Sequence, residues 1–304
     1  MTRFVIASAA LVLAACASTA QMPPEIAAQV KAIGPVIDPP KTGAIYAPLQ
    51  PKEPYAGVRV TRDLKYGPDA RHALDVFVPE KTSNAPVLVF VHGGGFIRGD
   101  KRTPGSPFYD NIMLAAARAG MVGVNVTYRL APQHPWPTGA RDVGAAVRWV
   151  QENIRQHGGD PARVTLMGHS AGAVHVASYV AFPEHHTARG VGIARAVLVS
   201  GLYDFTRLKP VGKPEAAYFG EKAGTAEVSS LAGLITNNVP LLVAYAELDP
   251  QQFVDQAKLL NETLCARARC PRLVYLPGHS HMSEVYAINT ADTSLAGPVL
   301  EFAK

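Results

Sequence analysis

Short, unbroken apolar runs alternate along this chain with longer stretches whose apolar residues recur at helical spacing. Residues 58–66 and 73–78 read as two strands, expected to pair antiparallel. Residues 86–91, Pro-Val-Leu-Val-Phe-Val, have no polar position, the mark of a strand covered on both faces. Residues 121–128, 164–167, 196–200, 241–245 and 273–276 are further short, mostly apolar runs. Between these runs lie predicted helices. Residues 108–118 form one, and Ala140, Val143, Val147, Val150 and Ile154 mark a second. An Ala-rich stretch from Ala171 to Ala181 gives a third, and Phe253, Ala257, Leu260 and Leu264 a fourth. Strands alternating with helices predict a mostly parallel sheet with helices on both faces. No internal repeat is present. Residues 202–236 are irregular and rich in Gly and Ser, and are read as a lid or a long loop between strands.

The amino-terminal end follows other rules. Arg3 is the sole charge before Glu25, and the apolar stretch behind it is too short to span a bilayer. Residues 1–20 are therefore expected to be a secretory signal. Leu13-Ala14-Ala15-Cys16 resembles the lipoprotein signature of bacteria, which implies lipidation of Cys16 and a lipid anchor in the outer membrane. An ordinary signal cut after Ala20, with a periplasmic product, is the alternative. Residues 21–57 are dense in proline and read as a tether and irregular arm, leaving 58–304 as the catalytic domain. In an exported chain Cys265 and Cys270 form an even pair, so a disulfide between them is expected over two free thiols.

Composition narrows the field. Charged residues are 17% and hydrophobic residues 48% of the chain, which requires a large buried core and argues against disorder. The formal net charge of +5 is scattered rather than gathered into a basic stripe, so no nucleic-acid partner is expected.

Gly168-His169-Ser170-Ala171-Gly172 follows a predicted buried strand and opens a predicted helix. That context makes Ser170 a candidate nucleophile, pushed out at the carboxyl edge of the sheet by a turn whose flanking positions must be glycine. The helix behind it turns unpaired N–H groups towards developing negative charge. His92-Gly93-Gly94-Gly95-Phe96 follows the strand 86–91. Gly94, Gly95 and Ala171 are the candidate donors of an oxyanion hole, with His92 and Gly93 positioning the loop. A phosphate loop is excluded, because no Lys-Ser/Thr follows the glycines. The base is sought after the last strand, in Gly278-His279-Ser280-His281. His281 is chosen, with His279 in reserve. The acid is sought after the strand 241–245: Asp249 is chosen, then Glu247, then Asp204. No HExxH or acidic cluster supports a metal site.

The order Ser170, Asp249, His281 is that of the α/β-hydrolases. Together with the two glycine motifs, Tyr128-Arg129-Leu130-Ala131-Pro132, Pro137, Asp142 and Gly159-Asp160-Pro161 resemble the hormone-sensitive-lipase-like and related bacterial carboxylesterases over roughly residues 60–290. The resemblance implies an α/β-hydrolase fold, a Ser-Asp-His triad, a small-molecule ester substrate and no cofactor. Two stretches depart from it. His169 stands where those esterases commonly have Asp, and the Gly278 to His281 tail looks more like feruloyl-esterase-like or formamidase-like relatives. An amide hydrolase of the same fold and a non-catalytic binding lipoprotein are the rival readings. Phe96, Phe108, Tyr109, Tyr203, Tyr218 and Phe219 are candidates for an apolar pocket wall.

Overall fold

The computed structural model describes residues 21–304. The expected signal and Cys16 lie outside the described residues. Eight strands form one sheet: β1 (Val58–Lys65), β2 (Ala73–Pro79), β3 (Ala85–Val91), β4 (Val122–Val126), β5 (Gly159–His169), β6 (Arg195–Val199), β7 (Leu241–Leu248) and β8 (Arg272–Ser280). Their spatial order is β1-β2-β4-β3-β5-β6-β7-β8. β1 and β2 are antiparallel, β2 joins β4 antiparallel, and every pair from β4 to β8 is parallel. The helices are α1 (Pro24–Ile33), α2 (Pro39–Tyr46), α3 (Asp110–Arg118), α4 (Thr138–Asn153), α5 (Ala171–Ala181), α6 (Lys213–Phe219), α7 (Leu231–Thr236), α8 (Gln251–Cys265), α9 (Ser283–Tyr286) and α10 (Ala296–Ala303).

The unbroken apolar run of β3 serves two cores at once. Val87, Val89 and Val91 point into one core, with residues of α4, α5 and α8. Leu88 and Phe90, one step out of phase, point into the other, with residues of α3, α9 and α10. Strict alternation of side chains across a strand requires this, and it is why a central parallel strand is mostly apolar. α5 is buried along its whole length, so its small residues answer to packing rather than to solubility.

The arm departs from its sequence reading. Instead of an irregular tether, residues 24–46 hold two helices docked on the second core, with Val30 and Tyr46 buried. Pro24 and Pro39 stand at the first helical position, where a missing N–H costs nothing. The proline density thus marks helix starts as well as breaks. Gln50 fixes the end of the arm by donating to the carbonyls of Tyr286 and Ile288 at 3.0 and 2.9 Å. Residues 202–236 are likewise less irregular than read, containing α6 over a third apolar cluster and α7 against the first core. Cys265 and Cys270 are bonded to each other at the end of α8.

A charge network ties β1, β2 and α3 together. Arg62 donates to Asp75 Oδ2 at 2.9 Å and Asp110 Oδ1 at 2.8 Å, and also meets Glu53. Lys101 approaches Asp75 at 3.0 Å and Asp63 at 2.6 Å. Asp75 and Asp110 are buried, so removal of the guanidinium leaves Asp110 with the Tyr55 hydroxyl as its remaining side-chain donor and Asp75 with Lys101 as its remaining cation. Arg62→Ala is expected to lower the unfolding free energy by roughly 3–5 kcal/mol, read from urea denaturation. A loss under about 1 kcal/mol would place the pair among surface bridges.

Buried imidazoles set the acid limit of the fold. Desolvation holds His92 and His175 down to about 3 and His169 well below its ordinary range, and it depresses His157 and His185 as well. Each stays neutral in the fold at a pH where the unfolded chain binds a proton. Glu284 and Glu215 act oppositely, because burial raises them and the fold keeps protons that the unfolded chain releases. Five imidazoles outweigh two carboxyls once the unfolded histidines protonate, below about pH 6.5. Stability is therefore expected to decline as pH drops from about 6.5 to about 5, followed as the midpoint of urea unfolding. A midpoint that held or rose over that interval would contradict the assignment.

Candidate active site

Ser170 sits between β5 and α5 with φ 56° and ψ −126°. That left-handed φ is costly for a residue with a Cβ. It is held because the buried strand ahead and the buried helix behind leave the turn no other path. Gly172 shows how tight the passage is: a Cβ there would lie 2.1 Å from the Val91 carbonyl oxygen. The helix consequently packs directly on the end of β3, and the loop that leaves β3 is brought beside Ser170.

Gly94 in that loop has φ +131°, and a Cβ on it would meet the Arg98 carbonyl at 2.0 Å. Among the described residues, the N–H groups of Gly94 and Gly95 donate to no protein acceptor. The N–H of Ala171 opens α5 and has no intrahelical partner. Three donors thus stand at the loop and helix start that flank Ser170. His92 is buried, with Nδ1 2.7 Å from the Gly93 carbonyl, and its ring stacks on Tyr128 at 4.4 Å. The Tyr128 hydroxyl donates to the His92 carbonyl at 2.9 Å. These contacts fix the start of the loop from beneath.

His281 follows β8 and faces Ser170, with Nε2 2.9 Å from Oγ. Its Nδ1–H donates to Asp249 Oδ1 at 2.7 Å. The second oxygen, Oδ2, accepts from the Ala246 N–H at 2.8 Å and the Ser200 hydroxyl at 2.7 Å. A carboxylate with three donors is fixed in place. Asp249, His281 and Ser170 therefore form one hydrogen-bonded line able to draw a proton off a hydroxyl and store it on an imidazole.

The alternatives lie elsewhere. His279 turns away to Asp292 at 3.0 Å and Ser283 at 3.2 Å. Glu247 accepts from the Gly278 N–H, and Asp204 caps Thr206. Two neighbours escaped the sequence reading. Ser200 ends β6 in the left-handed region, φ 46°, and Glu284 is fully buried beside His169 at 3.2 Å. The three-residue step from His281 to Glu284 in a helical turn is the one signal that could have found the second. A ligand atom from each of His169, His281 and Glu284 lies within 4.8 Å of the others, but both ring nitrogens of His281 are already engaged.

The line opens into a cavity of about 450 Å³. Phe96, Phe108 and Tyr109 line it as expected, joined by Phe253 and Tyr286. Tyr203, Tyr218 and Phe219 do not; they are buried in the core. Tyr218 instead stacks on Phe96 at 4.7 Å and steadies that wall. The docked arm supplies Ile37 and Pro39.

Several solved structures share this fold. A hyperthermophilic esterase from Pyrobaculum calidifontis superposes with a TM-score of 0.69 at 21% identity, over 93% of this chain and 98% of its own. A carbohydrate esterase from gut microbiota gives 0.68 at 17% identity, over 81% and 95%. Among curated proteins, carboxylesterase NlhH of Mycobacterium tuberculosis is 45% identical over 95 residues, 31% of this chain and 28% of that one. Pyrethroid hydrolase Ces2e of Rattus norvegicus is 35% identical over 186 residues, 49% and 32%. The matches thus span about a third of each of these relatives. The model of the carboxylesterase family covers residues 73–231, a stretch that holds β2 to β6, the glycine loop and Ser170. With more than half its length inside that model and the fold of its structural relatives, the chain belongs to the carboxylesterase family.

Proposed function

We propose that the protein is a carboxylic ester hydrolase that works through an acyl-enzyme on Ser170. The observation that supports this most is the unbroken line from Asp249 through His281 to Ser170, ending in a cavity beside unengaged N–H donors. Family membership agrees with it.

In the first half-reaction His281 Nε2 takes the hydroxyl proton as Ser170 Oγ bonds to the ester carbonyl carbon. Asp249 steadies the resulting imidazolium. The carbonyl oxygen gains negative charge and turns to the N–H groups of Gly94, Gly95 and Ala171, each such donor being worth roughly 10²–10³ in rate. The carbon–oxygen bond to the alcohol then breaks, and His281 returns the proton to the leaving oxygen. Water repeats the sequence on the acyl-enzyme and frees the acid. No step calls for a metal or cofactor. The aromatic and aliphatic lining, with Val174, Leu202, Phe253 and Tyr286, favours an ester of modest size with apolar substituents.

The site of action we propose is outside the cytoplasm, with residues 1–20 as an export signal and Cys16 as a lipid-bearing anchor at the outer membrane. The disulfide of Cys265 with Cys270 supports an oxidising compartment.

Ser170→Ala is expected to cut turnover of a short-chain 4-nitrophenyl ester by more than about 10⁴-fold and to abolish labelling by a fluorophosphonate. Asp249→Asn should lower kcat by roughly 10³–10⁴-fold while labelling slows rather than vanishes. Full turnover by the serine variant would end the proposal, and a wild-type protein inert to the probe would point to a binding role instead.

A further inference from the structure

Beside His281 lies a second imidazole–carboxyl contact that the reaction does not use. His169, the residue before the nucleophile, is buried, and its Nε2–H donates to the main-chain carbonyl of His281 at 2.8 Å. The two rings sit 4.7 Å apart. Glu284 Oε1 lies 3.2 Å from the same His169 nitrogen, and Glu284 has no exposure to solvent. Ser200, which donates to Asp249 Oδ2 at 2.7 Å, adjoins the Glu284 carboxyl on its other side. One buried carboxyl thus lies against the imidazole that holds the base and in the neighbourhood of the hydroxyl that holds the acid, with neither of its oxygens hydrogen-bonded among the described residues.

We propose that His169 and Glu284 form a buried, uncharged pair that positions His281, with His169 anchoring its main chain and Glu284 bracing both His169 and the Ser200–Asp249 contact. Both are positioning residues, since neither reaches the cavity-facing Oγ of Ser170. The idea rests on the esterase reading above.

The groups around the pair require its neutrality. Asp249 faces Glu284 from the turn after β7, and Tyr203 faces it from the segment after β6; His281 faces His169 from the end of β8. No lysine or arginine is paired with either residue among the described contacts. An ionised Glu284 would set a second carboxylate beside Asp249, and a charged His169 would oppose the imidazolium that His281 must become. Burial and these neighbours push Glu284 up and His169 down, so the proton rests on the carboxyl. The base then feels one carboxylate, Asp249, rather than two.

Three variants and one spectrum test this. His169→Ala is expected to lower kcat roughly 10²-fold through displacement of His281, with KM held within about threefold. His169→Gln, whose amide nitrogen can occupy the place of Nε2, should restore most of the loss. The acid limb of the kcat/KM profile in Glu284→Gln should remain where wild type has it, whatever its height, because amide and protonated carboxyl carry the same charge. Infrared difference spectra of the wild type against Glu284→Gln at neutral pH should contain the C=O stretch of a protonated carboxyl. Undiminished kcat in His169→Ala, an acid limb displaced by more than about half a unit in Glu284→Gln, or absence of that band would each overturn the proposal. Because the infrared band is read without substrate, it does not depend on turnover by any variant. Ser170→Ala judges the esterase reading separately: if it abolishes turnover while His169→Ala leaves it intact, only the pair is refuted.

Discussion

Everything at the candidate site hangs on the contact between the start of α5 and the end of β3. With a gap of 2.1 Å between a notional Cβ at position 172 and the Val91 carbonyl, there is room for a hydrogen and nothing more. That approach forces Ser170 into the left-handed region, points Oγ off the sheet edge, and delivers the loop of Gly93, Gly94 and Gly95 to its side. The strain at Ser170 is balanced by the burial of two complete elements, β5 and α5, whose packing on both cores would be lost if the turn relaxed.

What could be read from the sequence follows from how each feature is encoded. β3 is written in adjacent residues, since a strand covered on both faces is apolar at nearly every position. Ser170 and the glycine loop are written in short motifs, because tight backbone approach tolerates only glycine. The choice of Asp249 and His281 came from their places after successive strands. Their hydrogen bonds, over 32 and 111 residues of separation, became visible only in three dimensions.

Other features had no such local record. The arm was read as irregular because proline is ambiguous: at N1 it starts a helix, elsewhere it stops one. Ser200 looks like the polar end of an apolar strand, and only its distance to Asp249 gives it a role. Tyr203, Tyr218 and Phe219 have the composition of a pocket wall, yet composition does not distinguish a ring that faces a cavity from one that supports such a ring. His169 looked like a departure from a motif; its meaning depends on Glu284, 115 positions along the chain.

The docked arm has a consequence for the order in which the molecule is assembled. Ile37 and Pro39 enter the cavity wall early in the sequence, while Met282 and Tyr286 enter it near the end, and the Gln50 side chain bridges 236 residues to join the two. Closing so long a loop is among the slowest contacts a chain makes. The central strands and their helices can form before the ends meet, but the chamber around Ser170 cannot be whole until they do. A working site is thus a report that both termini of the fold have found each other.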